Sequence, residues 1–563
     1  QARTIGYPIM LKSTAGGGGI GMQLCWDQQE LEKAFDSVRR LSESNFSNSG
    51  VLIEKFIEYA RHIEVQVFGD GHGKAIAIGE RDCSTQRRNQ KVLEETPAPN
   101  IPEEVRKDLH QTAKTLVKAV NYRNAGTVEF VYDRDTDQFY FLEVNTRLQV
   151  EHGVTEQLFN IDLVEWMIRL AANELDDLDA LSMTLQSSGH AIEARVYAED
   201  PNKDFQPSAG LLSEVSFPAN DYLRIDHWLE TGIEVSPLFD PMLAKIIVIS
   251  DSRKSAIEKL DNALAETKLY GIETNIGYVR EILNTDVFSK GEIFTRYLNS
   301  FTTKPCTIDV VSSGTLTTIQ DYPGRTGYWD IGVPPSGPFD QYSFKLGNRL
   351  LENPVDSAGL EITLNGPALR FNHDTRIVLC GAMMDVHLDD AVIDFWKVFN
   401  VAAGQTLKIG KVMSAGARAY LCIKGGIQCP EYLGSRSTFT LGQFGGHAGR
   451  AIRAGDVLHF NPAEAKSAAH SLAPELLPEI NNSWRLRVIY GPHGAPDFFT
   501  DRDIDDFFDA DWEVHYNSSR TGVRLVGPKP QWARSDGGEA GMHPSNIHDN
   551  AYAIGAIDFT GDM

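Results

Sequence analysis

The chain changes texture near residue 303, and that change limits what it can fold into. Before it, short apolar runs at 7–12, 51–56, 63–68, 127–132 and 139–145 read as strands, with amphipathic stretches between them. Residues 102–120 read as a helix opened by Pro102, Glu103 and Glu104, where acidic groups suit the positive end of the helix dipole. Further helices are expected at 161–173 and 255–269, around strands at 191–197 and 243–250. From Ile308 to Phe460 the apolar runs are short and broken by Gly and Pro, which predicts a mostly β region. With 563 residues, more than one core is required in any case. The expected division is 1–155, 156–302 and 303–563, with a second joint at 461–482 and no repeat of solenoid period.

A formal charge of −24 argues against nucleic acid as the main partner, because phosphate neutralisation needs concentrated Lys and Arg. No apolar run approaches the length of a membrane helix. The cysteines at 25, 83, 306, 380, 422 and 429 include no CxxC pair. Such scattered thiols suggest a reducing, cytoplasmic setting and not a disulfide framework or zinc site. The chain opens on Gln1, so it reads as a piece of something longer.

Three constellations carry chemistry. Lys12 ends a strand and precedes Gly16, Gly17, Gly18 and Gly19, a loop whose backbone N–H groups can approach a phosphate. A flexible surface loop is the alternative, since a P-loop has its lysine after the glycines. The second runs from Phe139 to His152. In an extended chain Glu143, Asn145, Arg147, Gln149 and Glu151 share one face, with Leu142, Val144, Leu148 and Val150 on the other. Glu143 and Asn145 are hard oxygen donors suited to Mg²⁺ on nucleotide phosphates. Glu129 is an isolated acid in an apolar strand, costly unless paired or bound to metal. Arg147 offers a planar fork to an oxyanion, and Glu151 beside it a base. The third, Glu80 to Lys91, reads alone as an exposed charged loop, and together with the others as an anion-binding lining.

These strings, with Asp240-Pro241-Met242-Leu243-Ala244-Lys245, closely resemble the biotin carboxylase family. The resemblance covers 1–302 and implies an α/β ATP-grasp fold. Lys12 and the glycine loop would hold ATP phosphates, with Glu54, Lys55, His62 and Gln86 around the rest of the nucleotide. Glu129 and Glu143 would bind Mg²⁺ (or Mn²⁺), with Asn145 close by. Lys91, Arg147, Gln149 and the Val150 backbone would grip bicarbonate. Glu151 would deprotonate it for attack on the γ-phosphate, and Arg224 would stabilise the biotin enolate. Asn89 and Gly153 depart from the usual His and Pro.

The second half decides the acceptor. Thr318 to Gly327, Gly332 to Asp340, Gly425-Gly426 with Leu433 to Thr438, and Ser545 to Gly555 resemble the carboxyltransferase of urea carboxylases. That implies a mostly β carboxyltransferase domain and transfer of the carboxyl group to urea, giving allophanate. Asp321, Asp340, His548 and Asp549 are the candidates for holding urea; the alternative for each is a turn-capping aspartate or a satisfied histidine. None of the ten methionines precedes a lysine, so the biotin would ride on a carrier domain outside this chain. The Rossmann-like subdomain that precedes the glycine loop in relatives is also absent, and the carboxyltransferase half stops early. By itself the chain is therefore expected to be poorly active. A homo-oligomer is compatible with this reading. Two others remain open: a carboxylase acting on another amide or lactam such as 5-oxoproline, and a non-catalytic regulatory binding module.

Overall fold

The computed structural model describes residues 1–13, 22–46, 50–175, 177–461, 472–520, 522–536, 538–548 and 555–559. The first strands, β1 (Ile9–Ser13), β2 (Met22–Cys25) and β3 (Val51–Lys55), form a small antiparallel sheet with β1 in the middle. The helix Gln28–Phe46 lies against it.

An eight-stranded antiparallel sheet then organises the rest of the first half. Its strands are β4 (Ala60–Asp70), β5 (Ala75–Arg87), β6 (Gln90–Thr96), β7 (Arg123–Asp133), β8 (Gln138–Asn145), β9 (His190–Tyr197), β10 (Leu223–His227) and β11 (Met242–Ser250). Across the sheet they run β10-β11-β9-β6-β5-β4-β7-β8. Period-two alternation sorts the side chains. On β4, Ile63, Val65 and Val67 pack on Leu109, Ala113 and Val117 of the helix Glu103–Ala119, while Glu64 and Gln66 face the other way. The helix starts where Pro102 and its two glutamates predict.

The stretch from Glu80 to Lys91 is not an exposed loop. It is the end of β5, a two-residue turn at Arg88 and Asn89 (φ 49° and 66°), and the start of β6. Residues Glu80 to Gln86 are all buried, with charges satisfied in pairs: Arg61 Nη2 lies 2.6 Å from Asp82 Oδ2, and Arg81 Nε 2.6 Å from Glu64 Oε1. A run of charges alone cannot reveal that its partners lie on neighbouring strands.

Between residues 307 and 460 two antiparallel sheets enclose one apolar core, and a separate two-stranded sheet, Glu513–Val514 with Leu525–Val526, follows. The seven-stranded sheet contributes Ile308, Leu369 and Leu407, and the five-stranded sheet Ile319, Leu360 and Leu421. The outer face of the five-stranded sheet holds the helix Gln341–Leu350 through Phe344, Val378, Tyr420 and Cys422. Residues 462–471, within the expected second joint, lie outside the described residues. Among the described residues no helix is long and apolar enough to cross a membrane.

Candidate active site

Strand register sets a row of charges across the large sheet. Arg81 on β5, Glu64 on β4, Glu129 on β7 and Glu143 on β8 stand directly opposite one another in turn. Glu64 is fully buried and bridges two cations, Arg81 at 2.6 Å and Lys91 Nζ at 2.7 Å. Burial raises its pKa, but Arg81 and Lys91 outweigh that and bring it down to about 2. Glu129 likewise reaches about 2: burial opposes, and His62 and Lys91 prevail. His62 Nε2 sits 3.1 Å from Glu129 Oε2.

Of the five polar groups expected along one strand, only Glu143 and Asn145 belong to β8. The strand ends at Asn145, and Arg147, Gln149 and Glu151 come from the loop before the helix His152–Phe159. All five still line one cleft of about 580 Å³, with Val150, His62, Gln86, Lys91, Glu129 and Arg195. Leu142 is half exposed at this cleft instead of buried behind it. The loop is tied from beneath: Lys245 Nζ donates to the Val150 carbonyl at 2.9 Å, and His152 Nδ1 lies 2.7 Å from the Gln149 carbonyl.

Glu151 is almost wholly buried, with Lys91 Nζ on Oε1 and Arg195 Nη2 at 2.9 Å from Oε2. Gln149 Nε2 and Asn145 Nδ2 both donate to Glu129 Oε1, at 2.8 and 2.9 Å. Asn145 Nδ2 also lies 3.4 Å from Glu143 Oε1, so two carboxylates and a carboxamide converge. The two carboxylates are hard oxygen donors of the kind a divalent cation takes, while Asn145 here presents its amide nitrogen to them and its Oδ1 toward Arg147 Nη2 at 3.4 Å. His62, Glu64 and Glu129 also place ligand-type atoms within 4.8 Å of one another, but Glu64 is already committed to Arg81 and Lys91.

The remaining candidates fall elsewhere. Lys12 pairs with Glu54 on the small sheet, where Lys55 Nζ donates to the carbonyls of Gly6 and Tyr7; none of the three lines the cleft. Gly16, Gly17, Gly18 and Gly19 lie outside the described residues, as does Asp549. Arg224 does not reach the cleft lining: Glu156 Oε2 holds it at 2.6 Å and Asp226 holds it at 3.0 Å. The guanidinium beside Glu151 is Arg195, which lies outside the three sequence constellations. Its signal was the one that marked Glu129, a lone charge in an apolar strand, here in Ala191-Ile192-Glu193-Ala194-Arg195-Val196.

In the β-rich half Asp321 accepts from Ser435 Oγ (2.5 Å), Ser437 Oγ (2.6 Å) and the Arg436 N–H (2.7 Å). Asp340 caps the helix Gln341–Leu350 by accepting from the Ser343 N–H at 3.0 Å and from its hydroxyl. His548 is exposed. Asp321, Asp340 and His548 do not line the cleft of the first half; Asp321 ties two distant segments together and Asp340 caps a helix.

Fold and cleft together define a biotin carboxylase ATP-grasp region followed by a carboxyltransferase domain. Three family models agree: carbamoyl-phosphate synthase L chain, ATP binding domain, over residues 1–178; biotin carboxylase C-terminal domain over 193–300; and carboxyltransferase domain, subdomain A and B, over 331–563. The whole chain is 53% identical to a urea amidolyase of Saccharomyces cerevisiae and 52% identical to one of Lachancea kluyveri. A solved urea carboxylase of Kluyveromyces lactis superposes with a TM-score of 0.84 at 53% identity, over 90% of this chain and 45% of that one. Over its whole length the chain is similar to urea carboxylases and urea amidolyases. It spans 31% of the length of those two curated relatives.

Proposed function

We infer that this chain supplies the ATP-dependent carboxylation site, and part of the carboxyltransferase, of a biotin-dependent ligase that carboxylates urea to allophanate. The observation that carries this reading is Glu151 held between Lys91 and Arg195 in the cleft that Glu129, Glu143 and Asn145 also line. In it, Lys91, Arg147, Gln149 and the Val150 backbone grip bicarbonate, and Glu151 takes its proton. A bicarbonate oxygen then attacks the γ-phosphorus of ATP, whose bond to the bridging oxygen breaks so that ADP leaves and carboxyphosphate forms. Lys12 and the loop containing Gly16 to Gly19 are assigned to hold the phosphates. Phosphoryl transfer of this kind needs positioning and charge neutralisation more than covalent help.

Glu129 and Glu143, with Asn145, fit a divalent cation, Mg²⁺ or Mn²⁺; when bound, it would neutralise phosphate charge. Biotin, on a carrier outside this chain, supplies the ring nitrogen that receives the carboxyl group. Arg224, held by Glu156 and Asp226, is the guanidinium assigned to stabilise the biotin enolate, while Arg195 pairs with Glu151 in the cleft. Urea as acceptor is supported by whole-chain similarity to urea amidolyases and by the carboxyltransferase domain. A cytoplasmic setting is part of the reading, supported by six cysteines without disulfides.

The test is ADP release by the full-length protein with bicarbonate, in the presence and absence of urea and of 5-oxoproline. Stimulation by urea supports the reading; stimulation by another amide alone overturns the acceptor, and no bicarbonate-dependent turnover overturns the enzyme.

A further inference from the structure

Strand β9 carries two charged groups inside an apolar run, and only one is accounted for. Arg195 donates through Nε to Glu94 Oε1 at 2.6 Å and through Nη2 to Glu151 Oε2. Glu193 is 0% exposed, and neither of its carboxyl oxygens has a hydrogen-bond partner. Register places it directly opposite Glu94 on β6 and Ile247 on β11, and places Arg195 opposite Lys245. Gly153 closes over it from the start of the helix His152–Phe159. A Cβ there would lie 2.4 Å from Ile247 Cδ1, 3.2 Å from Glu193 Oε2 and 3.7 Å from Lys245 Nζ. The absence of a side chain at 153 is what lets the helix end sit on this carboxyl.

An ionised carboxylate without a donor is among the costliest groups an interior can hold, so it must find a cation or keep a proton. The neighbouring cations are spent. Arg195 is shared between Glu94 and Glu151, while Lys245 serves the Val150 carbonyl and Asp226 Oδ2 at 3.1 Å. Two carboxyls directly across a strand pair also resist ionising together. Burial first, and then the Glu94 charge, push Glu193 well above the carboxylate range. Glu94, buried but held by Arg195, is pushed up to about 7. The other charged groups facing this point are Arg195 on the same strand, Lys245 from β11 and Glu151 from the loop before the helix. Burial pulls the nearby His152 imidazole down, with Lys245 adding to the effect.

The geometry points to Glu193 as a proton-bearing positioning residue: uncharged, it leaves Arg195 to Glu151 and Lys245 to the Val150 carbonyl, and ionised, it draws both away from that end of the cleft. The inference rests on the bicarbonate reading only for what the two cations do; the protonation of Glu193 stands apart from it. Difference infrared spectroscopy of the full-length protein near neutral pH should show a buried carboxylic-acid C=O band that Glu193→Gln removes. Glu94→Gln, which deletes the opposing charge, should lower the pH at which that band disappears. In bicarbonate-dependent ATP turnover, the alkaline fall should move up by about one pH unit or more in Glu193→Gln, since an amide cannot ionise, and should persist in Glu193→Asp. The proposal is overturned if no acid band is lost in Glu193→Gln, or if its alkaline limb matches the wild type. If wild-type protein lacks bicarbonate-dependent turnover, the functional reading fails while the infrared result still decides Glu193.

Discussion

Glu64 and Asp321 are both buried carboxylates, one in each half of the molecule, and their partners differ in kind. Glu64 is met by Arg81 and Lys91, charged groups from β5 and β6, beside a cleft that other charges line. Asp321 is met by two serine hydroxyls and a backbone N–H within three consecutive residues, Ser435, Arg436 and Ser437. The first arrangement concentrates charge from several strands at the edge of an open volume. The second ties the segment at Asp321 to the distant segment Ser435–Ser437 through neutral donors. A polar residue marks a site when its partners are charged and gathered at a cavity. Sequence separation does not discriminate, since Asp321 meets Ser435 across 114 residues and Glu64 meets Arg81 across only 17.

The sharpest break of that contrast is catalytic. Glu151→Gln in the full-length protein should lower bicarbonate-dependent ADP release by roughly 10²–10⁴-fold, the range of a positioned general base. Retention of full rate would remove Glu151 from the chemistry. Next in size, Glu64→Ala strands Arg81, which is 0% exposed, and should cost about 3–5 kcal/mol in guanidinium unfolding. Asp321→Ala should cost about 1–3 kcal/mol, leaving its buried hydroxyl and N–H donors unpaired. If it abolished urea-stimulated turnover while folding normally, the structural assignment of Asp321 would be wrong.

Acid and base should also act oppositely on the cleft. Glu64 and Glu129 have folded pKa values of about 2, below the unfolded value of 4.5, so their stabilisation is present above 4.5 and lost as pH falls through about 2. Glu94, at about 7 when folded, holds a proton that the unfolded chain releases from pH 4.5 upward. Its contribution therefore declines as pH rises from 4.5 to 7, and Glu94→Gln should flatten that decline in stability measured across pH. The smallest effect is Asp340→Ala, about 1 kcal/mol for a lost N-cap, read by thermal unfolding.

Much of this was legible in the residues. The helix Glu103–Ala119 announced itself through Pro102, its acidic first turn and the four-residue spacing of Leu109, Ala113 and Val117. The convergence of Glu143, Asn145, Arg147, Gln149 and Glu151 was also legible, although the mechanism inferred for it, one extended strand, holds only as far as Asn145. The strand Ala75–Arg87 was hidden because its charges look solvated until Arg61, Glu64 and Glu199 are supplied by distant segments. Arg195 and Arg224 are separated by the same fact: both are arginines in strands, and only packing shows which one reaches Glu151.

The residue types and their local spacing determined that this chain would build an α/β region bearing carboxylates, carboxamides and a guanidinium along one segment, joined to a β-rich domain. Tertiary structure alone decided which charges neutralise one another. Charges interact through space across paired strands, whether consecutive or distant in sequence, and register, not composition, put Glu64 against Arg81 and the like charges Glu94 and Glu193 against each other.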